Sequence, residues 1–510
     1  MGSSQHTEVE RKFDVDPATP FPTVIDVDGV SAMSQPVDLD LEAVYFDTAD
    51  LDLARHGTTL RRRTGGEDAG WHLKLPKDAD TRTELRLPLG RATRTVPKEL
   101  LEPVRALVRD RRLVPVARVR THRREYTLLG EDEVALAQLC DDEVHAERLH
   151  GPSQTQDWRE WEAELVNGDG PLLEAIERRL LDAGATPAST TSKLGRTLGD
   201  EIPPYRRRPA RKKLARASAG QVVRAHLADQ TAELHRQDAR LRADEAGSVH
   251  KLRIAARRTR SALKTYKPLL APGSGETVAE ELRWLGQVLA DARDAQVLRE
   301  RLQVLVASEP QELVLGPVQA RIDDELRTAY RAGLEQGLRA LDSERYFRLL
   351  DALDDLVEST PLAPETDAPA RKLLPRLLER DSKRLRRAVK EVARAGDPHE
   401  RDLALHEARK KAKRFRYAAE STVPVLGRRA KSLAASVKRV QQALGEHQDS
   451  VVARRRLREY GVRAYADGQN AFSFGRLHGL EQQRADEAER EFNAAWKKLA
   501  SKKVDRWVRK

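Results

Sequence analysis

Five residues near the start of the chain, Glu8-Val9-Glu10-Arg11-Lys12, set two carboxylates and an ammonium at alternate positions. In an extended strand alternate side chains share a face. Glu8, Glu10 and Lys12 would therefore point one way, with Val9 and Arg11 opposite. Hard divalent cations take carboxylate oxygens and phosphates take cationic donors, so the trio suits a metal ion held against a phosphate. A solvated edge strand accounts for the same five residues, and the chemical reading gains force only where later segments repeat the pattern.

They do repeat it. Arg61 and Arg63 share a face, as do His72 and Lys74, then Arg82, Glu84 and Arg86, and finally Glu160, Glu162 and Glu164, backed by Trp161, Ala163 and Leu165. An antiparallel sheet with one face in water would show mixed polar residues outside. Here the last strand is wholly acidic on its polar face and three middle strands are mostly basic. A closed sheet with cations on one interior wall and carboxylates on the other would bind a metal–polyphosphate complex. Such an interior is costly without water, so a wet tunnel is expected.

The elements needed to hold these residues are strands at 6–13, 42–47, 58–63, 70–75, 81–87, 117–128, 133–140 and 158–166, with helices at 97–108 and 171–183. Eight strands and few helices predict an antiparallel sheet or closed barrel.

Glu8-x-Glu10-x-Lys12, Tyr45-Phe46-Asp47-Thr48, Leu60–Arg63, Trp71–Leu75, Arg82-x-Glu84-x-Arg86, Glu160-x-Glu162-x-Glu164 and Ser192-Lys193 together resemble the CYTH domain of the triphosphate tunnel metalloenzymes. The resemblance implies an eight-stranded antiparallel barrel that hydrolyses or binds triphosphate-containing substrates. It further implies that Glu8, Glu10, Glu162 and Glu164 hold Mg²⁺ or Mn²⁺ and serve catalysis with Lys12. Lys12, Arg61, Arg63, Lys74, Arg86 and Lys193 would hold phosphates, with Glu84 positioning some of these bases. The family brings a further arginine from the next strand, where Arg120, Arg123 and Arg124 compete; Arg120 and Arg123 are taken as substrate contacts. Gln138 stands where relatives often place an acidic metal ligand, leaving Asp141 or Asp142 to replace it, with Asp142 counted among the metal ligands.

Residues 201–217, with three prolines and a basic run, read as a linker between a domain at 1–200 and another at 218–510. Beyond it the hydrophobic period becomes helical, predicting helices at 218–243, 246–269, 276–307, 315–339, 343–357, 368–395, 399–422, 426–446, 448–461 and 474–500. An internal repeat runs through this half: the segment from Val249 to Arg260 matches Leu405 to Arg416 at an offset of 156 (406 − 250), and Leu289–Asp294 matches Leu444–Asp449 at 155 (449 − 294). Two helical bundles about a pseudo-two-fold axis follow. In the first copy Leu252, Ala256, Thr259, Leu263 and Tyr266 form a core stripe, and His250, Arg253, Arg257, Arg260 and Lys264 a polar one. In the second, His406, Arg409, Lys413 and Arg416 recur, with Lys410 and Tyr417 alongside. Like charges at i,i+4 cost a few tenths of a kcal/mol per pair. Pairing with acids on neighbouring helices would explain them; so would a track for a polyanion.

These repeat segments resemble the CHAD domain, a histidine-containing helical domain often fused to CYTH, associated with inorganic polyphosphate. The resemblance makes the ten basic residues and histidines just named candidate polyphosphate contacts. Neither histidine has the i,i+4 partner of a zinc site. Lys plus Arg exceed Asp plus Glu by 92 − 81 = 11, which favours an anionic partner. Aromatic residues are only 5% and few interleave with the bases, so stacking platforms for nucleic acid are scarce and that partner is disfavoured. A single cysteine, Cys140, and no apolar run long enough for a bilayer predict a soluble cytoplasmic protein, by the resemblance at polyphosphate granules. The whole reads as an α+β two-domain protein, a β-barrel triphosphatase followed by an all-α polyphosphate-binding domain. Two alternatives stay open: a binding-only protein, and a nucleic-acid or nucleotide-triphosphate enzyme.

Overall fold

The structure, a computed structural model, describes residues 4–76, 81–90, 95–190, 192–203, 214–359 and 362–501, with side chains from Glu8 onward. The chain divides into two compact units, Met1–Arg206 and Arg207–Lys510. Of the expected linker at 201–217, residues 204–213 lie outside the described residues.

Eight long strands build the first unit: β1 (Ser4–Val15), β2 (Val37–Asp47), β3 (Thr59–Thr64), β4 (Gly70–Pro76), β5 (Thr81–Pro88), β6 (Val114–Leu129), β7 (Ala135–Arg148) and β8 (Thr155–Leu165). They pair antiparallel in the order β1-β5-β4-β3-β2-β6-β7-β8, and β8 returns to β1 with Glu164 opposite Glu10 and Glu162 opposite Lys12, closing the barrel. On β1, β3, β4, β7 and β8 apolar residues look outward, whereas β2 turns Leu39, Leu41, Ala43 and Tyr45 inward and Asp40 and Glu42 outward. Phe13, Leu139, Trp161 and Ala163 pack beneath Leu172, Ile176 and Leu180 of helix α1 (Gly170–Asp182). Burying each of these large side chains contributes about 1.5–3 kcal/mol. Asp169 caps α1, its side chain accepting from the Leu172 amide at 3.0 Å.

Leu60, Trp71 and Leu73 on β3 and β4 pack likewise under Leu100, Val104 and Val108. The helix expected over 97–108 is instead three short turns, Lys98–Leu101, Glu102–Val104 and Arg105–Val108. Pro103 interrupts it, having no amide hydrogen to continue a helical ladder. A short helix, α2 (Lys193–Leu198), starts at Ser192, whose hydroxyl accepts from the Gly195 amide at 3.0 Å. Its Leu194 and Leu198 pack on Tyr45, Val119, Val144 and Trp158, which fixes Lys193 at the barrel interior.

The second unit is helical: α3 (Ala219–Arg242), α4 (Ser248–Tyr266), α5 (Glu276–Val288), α6 (Ala290–Ala307), α7 (Val318–Leu341), α8 (Glu344–Glu358), α9 (Ala370–Arg394), α10 (Pro398–Ser421), α11 (Arg428–Ala466) and α12 (Phe472–Ser501). The expected single helix at 276–307 breaks at Leu289. That junction rests on glycines of α7: a Cβ on Gly333 would lie 2.5 Å from the Ala292 amide nitrogen, and one on Gly337 2.8 Å from Leu289. Conversely, the helices expected at 426–446 and 448–461 are one, α11, because nothing at Gly445 or His447 ends the ladder. A glycine inside a helix costs only about 1 kcal/mol, and a Cβ on Gly445 would already touch the Arg409 guanidinium at 3.7 Å.

Leu252, Ala256, Thr259, Leu263 and Tyr266 are buried on α4, as are Leu405, Ala408, Ala412, Phe415 and Ala419 on α10. The Tyr266 hydroxyl meets the Ser421 hydroxyl at 2.6 Å, joining the ends of these two repeat-related helices.

Candidate functional site

The inward faces of the strands enclose a cavity of about 450 Å³, apolar along β2 and mostly charged elsewhere. Glu8, Glu10, Glu162 and Glu164 line the β1–β8 side. Cations enter from Lys12, from Arg61 and Arg63 on β3, Lys74 on β4, Arg86 on β5, Arg123 on β6 and Lys193 on α2. The two sets interlock. Lys74 Nζ lies 2.6 Å from Glu8, Lys12 Nζ 3.1 Å from Glu10 and in contact with Glu162, and Arg86 Nη2 3.2 Å from Glu8. Lys193 Nζ donates to Asp142, Glu160 and Glu162 at 2.8, 2.7 and 2.8 Å. Burial works against this ammonium, but the three carboxylates hold its pKa well above the ordinary lysine value.

Two lining groups stand apart. Among the described residues Arg61 makes no ion pair, its side chain hydrogen-bonding to Tyr45. Glu164 makes none either, and burial, with Glu8 and Glu10 beside it, pushes its carboxyl up to about 7. Burial also raises Glu10, yet Lys12 and Lys74 outweigh it and bring Glu10 down to about 2. One wall thus holds a carboxyl poised near neutrality beside Glu10 and Glu162, whose pKa values are lowered by neighbouring cations, opposite guanidiniums suited to phosphoryl oxygens.

In the helical unit a second cavity, about 660 Å³, lies between the two repeat copies. His250, Arg253 and Arg257 reach it from α4, and His406, Arg409, Lys413 and Arg416 from α10. The same contact occurs in both copies: Arg253 Nη1 lies 3.1 Å from Asp294, and Arg409 Nη2 3.4 Å from Asp449. Arg257 Nε donates to the Tyr417 hydroxyl at 3.2 Å, crossing between copies. His406 Nδ1 meets the Gln448 side-chain oxygen at 2.6 Å. Arg257, Arg260 and Lys413 make no ion pair among the described residues. Lys413, buried beside Arg409 and Arg257, is pushed down to about 7.

Two family models match this chain, the CYTH domain over residues 6–188 and the CHAD domain over 225–458. An uncharacterized protein of Mycobacterium tuberculosis is 42% identical over 527 residues, covering 99% of this chain and 98% of its own. The chain is a CYTH domain fused to a CHAD domain. Among solved structures, PptA from Streptomyces chartreusis is 24% identical, covering 55% of this chain and 100% of its own with a TM-score of 0.45. The CHAD domain from the plant Ricinus communis is 23% identical, covering 57% of this chain and 94% of its own, again with a TM-score of 0.45.

Within the CYTH domain, Arg120 does not reach the cavity. It lies on the outer face, 60% exposed, with Nε 2.9 Å from Glu42. Arg124 also faces out, 2.9 Å from Asp141. Arg123 alone of the three turns inward, donating to both oxygens of Asp142 at 2.7 Å and to Glu162 at 2.6 Å. Asp141 is held outside by Arg159 at 2.7 Å. Asp142 points in, but both its oxygens are taken by Arg123 and one is shared with Lys193. Glu84 is fully buried behind the lining, accepting from Arg86 and meeting His72 Nδ1 at 2.9 Å. Gln138 does line the cavity, its amide 3.3 Å from Glu125, a lining carboxylate the sequence reading missed. Glu125 was readable, since it alternates with Arg123. Arg82 was missed too; it lines the cavity 3.6 Å from Glu10.

The CYTH family is metal-dependent. The tightest acidic group, Asp142, Glu160 and Glu162 with oxygens within 4.8 Å of one another, already surrounds the Lys193 ammonium, which does there what a cation would do. Glu8 and Glu10, hard oxygen donors lining the cavity outside that triad, fit a divalent ion better.

Within the CHAD domain, Lys410 is off the cavity, 56% exposed and paired with Glu407 at 2.6 Å. Arg260 and Lys264 lie beyond its rim and continue the stripe toward Arg283. Arg416 lines the cavity while pairing with Glu420 at 2.7 Å. Arg293, which lines it from α6, was missed. Its repeat mate is Gln448 (448 − 155), beside the Asp294/Asp449 match, so the repeat carried the signal.

Proposed function

We propose that the CYTH barrel is a divalent-metal-dependent triphosphatase acting on inorganic tripolyphosphate or polyphosphate ends, and that the CHAD domain binds inorganic polyphosphate. The carrying observation is the barrel cavity itself: facing carboxylate and guanidinium walls, with Arg61 lacking a carboxylate partner and Glu164 titrating near neutral. Glu8 and Glu10, with Glu162 alongside, would hold Mg²⁺ or Mn²⁺, which when bound neutralises phosphoryl charge. Arg61, Arg63, Arg86 and Lys74 grip the phosphate chain. Glu164 takes the proton of the attacking water, a role that suits a carboxyl near pH 7. Lys12 and Arg123, released from Glu162, stabilise the leaving phosphate oxygens. Glu84 and His72 position Arg86 and Lys74 from behind. In the CHAD domain Arg257, Lys413 and the flanking Arg253 and Arg409 meet successive phosphates. A module that grips long chains raises the local concentration of their ends.

Phosphate release from tripolyphosphate, with Mg²⁺ or Mn²⁺ and with chelator, tests the barrel. Metal-dependent release is expected, and none above background from the wild-type protein would remove the hydrolase reading. One observation favours a binding-only protein instead: Gln138 occupies the lining where an acid was expected. That reading predicts tripolyphosphate binding without turnover. Nucleic acid displacing polyphosphate from the CHAD domain at equal phosphate concentration would overturn the partner.

A further inference from the structure

Helix α9 carries ten Lys and Arg against three Asp and Glu, a net of +7 in 25 residues of a chain whose total is +11. The helix one repeat earlier, α3, precedes α4 as α9 precedes α10, and carries four bases against three acids. The packing of the repeat therefore does not require the charge. On α9, Arg376, Arg380, Lys383, Arg387, Lys390 and Arg394 recur at spacings of 4, 3, 4, 3 and 4, and all are exposed. At 1.5 Å per residue they form one ridge roughly 27 Å long. Lys383 and Arg394 pair within the helix, with Glu379 at 2.9 Å and Glu391 at 2.8 Å. The other four make no ion pair among the described residues. Neighbouring like charges on a helix face oppose its formation, and no acid from another element relieves these.

The ridge joins the cavity between the two repeat copies, a cage of basic side chains. From Arg257 the α4 stripe runs through Arg260 to Lys264, whose carbonyl accepts from Arg414 Nη2 at 2.6 Å. Arg414 Nε lies 2.9 Å from Asp381 of α9, and Arg384 Nη1 2.7 Å from the same carboxylate. Lys264, Arg414 and Arg384 thus meet where the stripe reaches α9. The opposite face of α9, with Leu374, Leu378 and Leu385, is buried in the bundle, so the helix cannot dip into a bilayer.

We propose that this face of α9 is a second polyanion-binding surface, continuous with the CHAD cage, whose occupant is the overhanging length of a long inorganic polyphosphate chain. The proposal rests on the reading of the cage as a polyphosphate site. It makes the domain selective for chain length: a short chain fills the cage alone, and a long one gains the ridge.

The test uses the intact protein with R376Q/R380Q/R387Q/K390Q, all exposed, and titrates it with polyphosphate no longer than the cage and with chains several times longer. Thermal melting checks that the fold is unchanged. Long-chain affinity should fall on the order of tenfold with a shallower salt dependence, while short-chain affinity stays the same. Unchanged long-chain affinity would overturn the proposal. A cage variant, R257M/K413M, separates the two readings: it should lose chains of both lengths, and if it loses neither, the cage reading fails whatever the ridge does. Duplex DNA or anionic vesicles losing more affinity than long polyphosphate on the ridge variant would overturn the occupant.

Discussion

If the CHAD cavity binds polyphosphate as proposed, Lys413 makes that binding proton-linked. Burial, with Arg409 and Arg257 beside it, brings its pKa down to about 7, and Asp449 offsets this only in part. An ordinary lysine titrates near about 10.4. A polyanion in the cage supplies the missing counter-charge and returns Lys413 toward that value, so binding above neutrality takes up a proton. The protonated cage is the binding form. Affinity is therefore full below about pH 7 and falls as pH rises above it, approaching a decade per unit until the bound-state pKa is reached. Between pH 7 and 9 free Lys413 goes from half protonated to roughly one part in a hundred, a loss of about 50-fold in affinity, or about 2.3 kcal/mol. Burial and the surrounding arginines keep His250 down at about 4 and lower His406 as well, so both are neutral across this range. Calorimetric titration with long-chain polyphosphate at fixed ionic strength, in buffers of different ionisation enthalpy, reads both the affinity and the proton count. Lys413→Arg should keep binding and flatten the profile. Zero protons taken up at pH 8, or the same slope in Lys413→Met, would refute the reasoning.

Removing the ammonium from the CYTH acidic triad with Lys193→Met leaves Asp142, Glu160 and Glu162 crowded and buried, at a cost of about 3–5 kcal/mol in chemical denaturation at pH 7. The carboxylates' pKa values rise without it, so the deficit should shrink as pH falls through the carboxylate range, and added Mn²⁺ should restore part of the loss. For Glu164, whose carboxyl sits at about 7, kcat/KM for tripolyphosphate should rise through neutral pH as the base ionises. Glu164→Gln should lower the rate by about 10²–10⁴-fold and remove that limb, with the tripolyphosphate KM little changed. Gly333→Ala should lower stability by about 1–3 kcal/mol in thermal or denaturant unfolding, because its Cβ would press on the Ala292 backbone.

The barrel was legible because a two-residue period sorts charges by face, and Glu8/Glu10/Lys12 with Glu160/Glu162/Glu164 put the sorting beyond accident. Which of Arg120, Arg123 and Arg124 enters was not legible, since both faces of β6 carry bases and only pairing with β7 sets Arg123 against Asp142. Lys193 announced itself as a cation, but its three carboxylates come from two strands distant in sequence. The helical repeat was plain in His250/His406 and Asp294/Asp449. The break at Leu289 has no proline, and Gly286 lies inside the preceding helix rather than at the junction, so the break arises from how tightly α7 approaches. The ridge on α9 lies outside the repeat match, and the sequence reading took that segment only as a helix.

The seam between β1 and β8 has a consequence for how the barrel comes into being. Glu10 and Lys12 meet Glu164 and Glu162 only after some hundred and fifty intervening residues exist, so the charged lining stays bathed in water until about the first third of the chain has been made. Enclosure of that lining and zipping of the last strand must then coincide, a non-local and slow event. Until it happens the nascent chain offers Phe13 and Trp161 no roof, a window in which chaperones would find purchase.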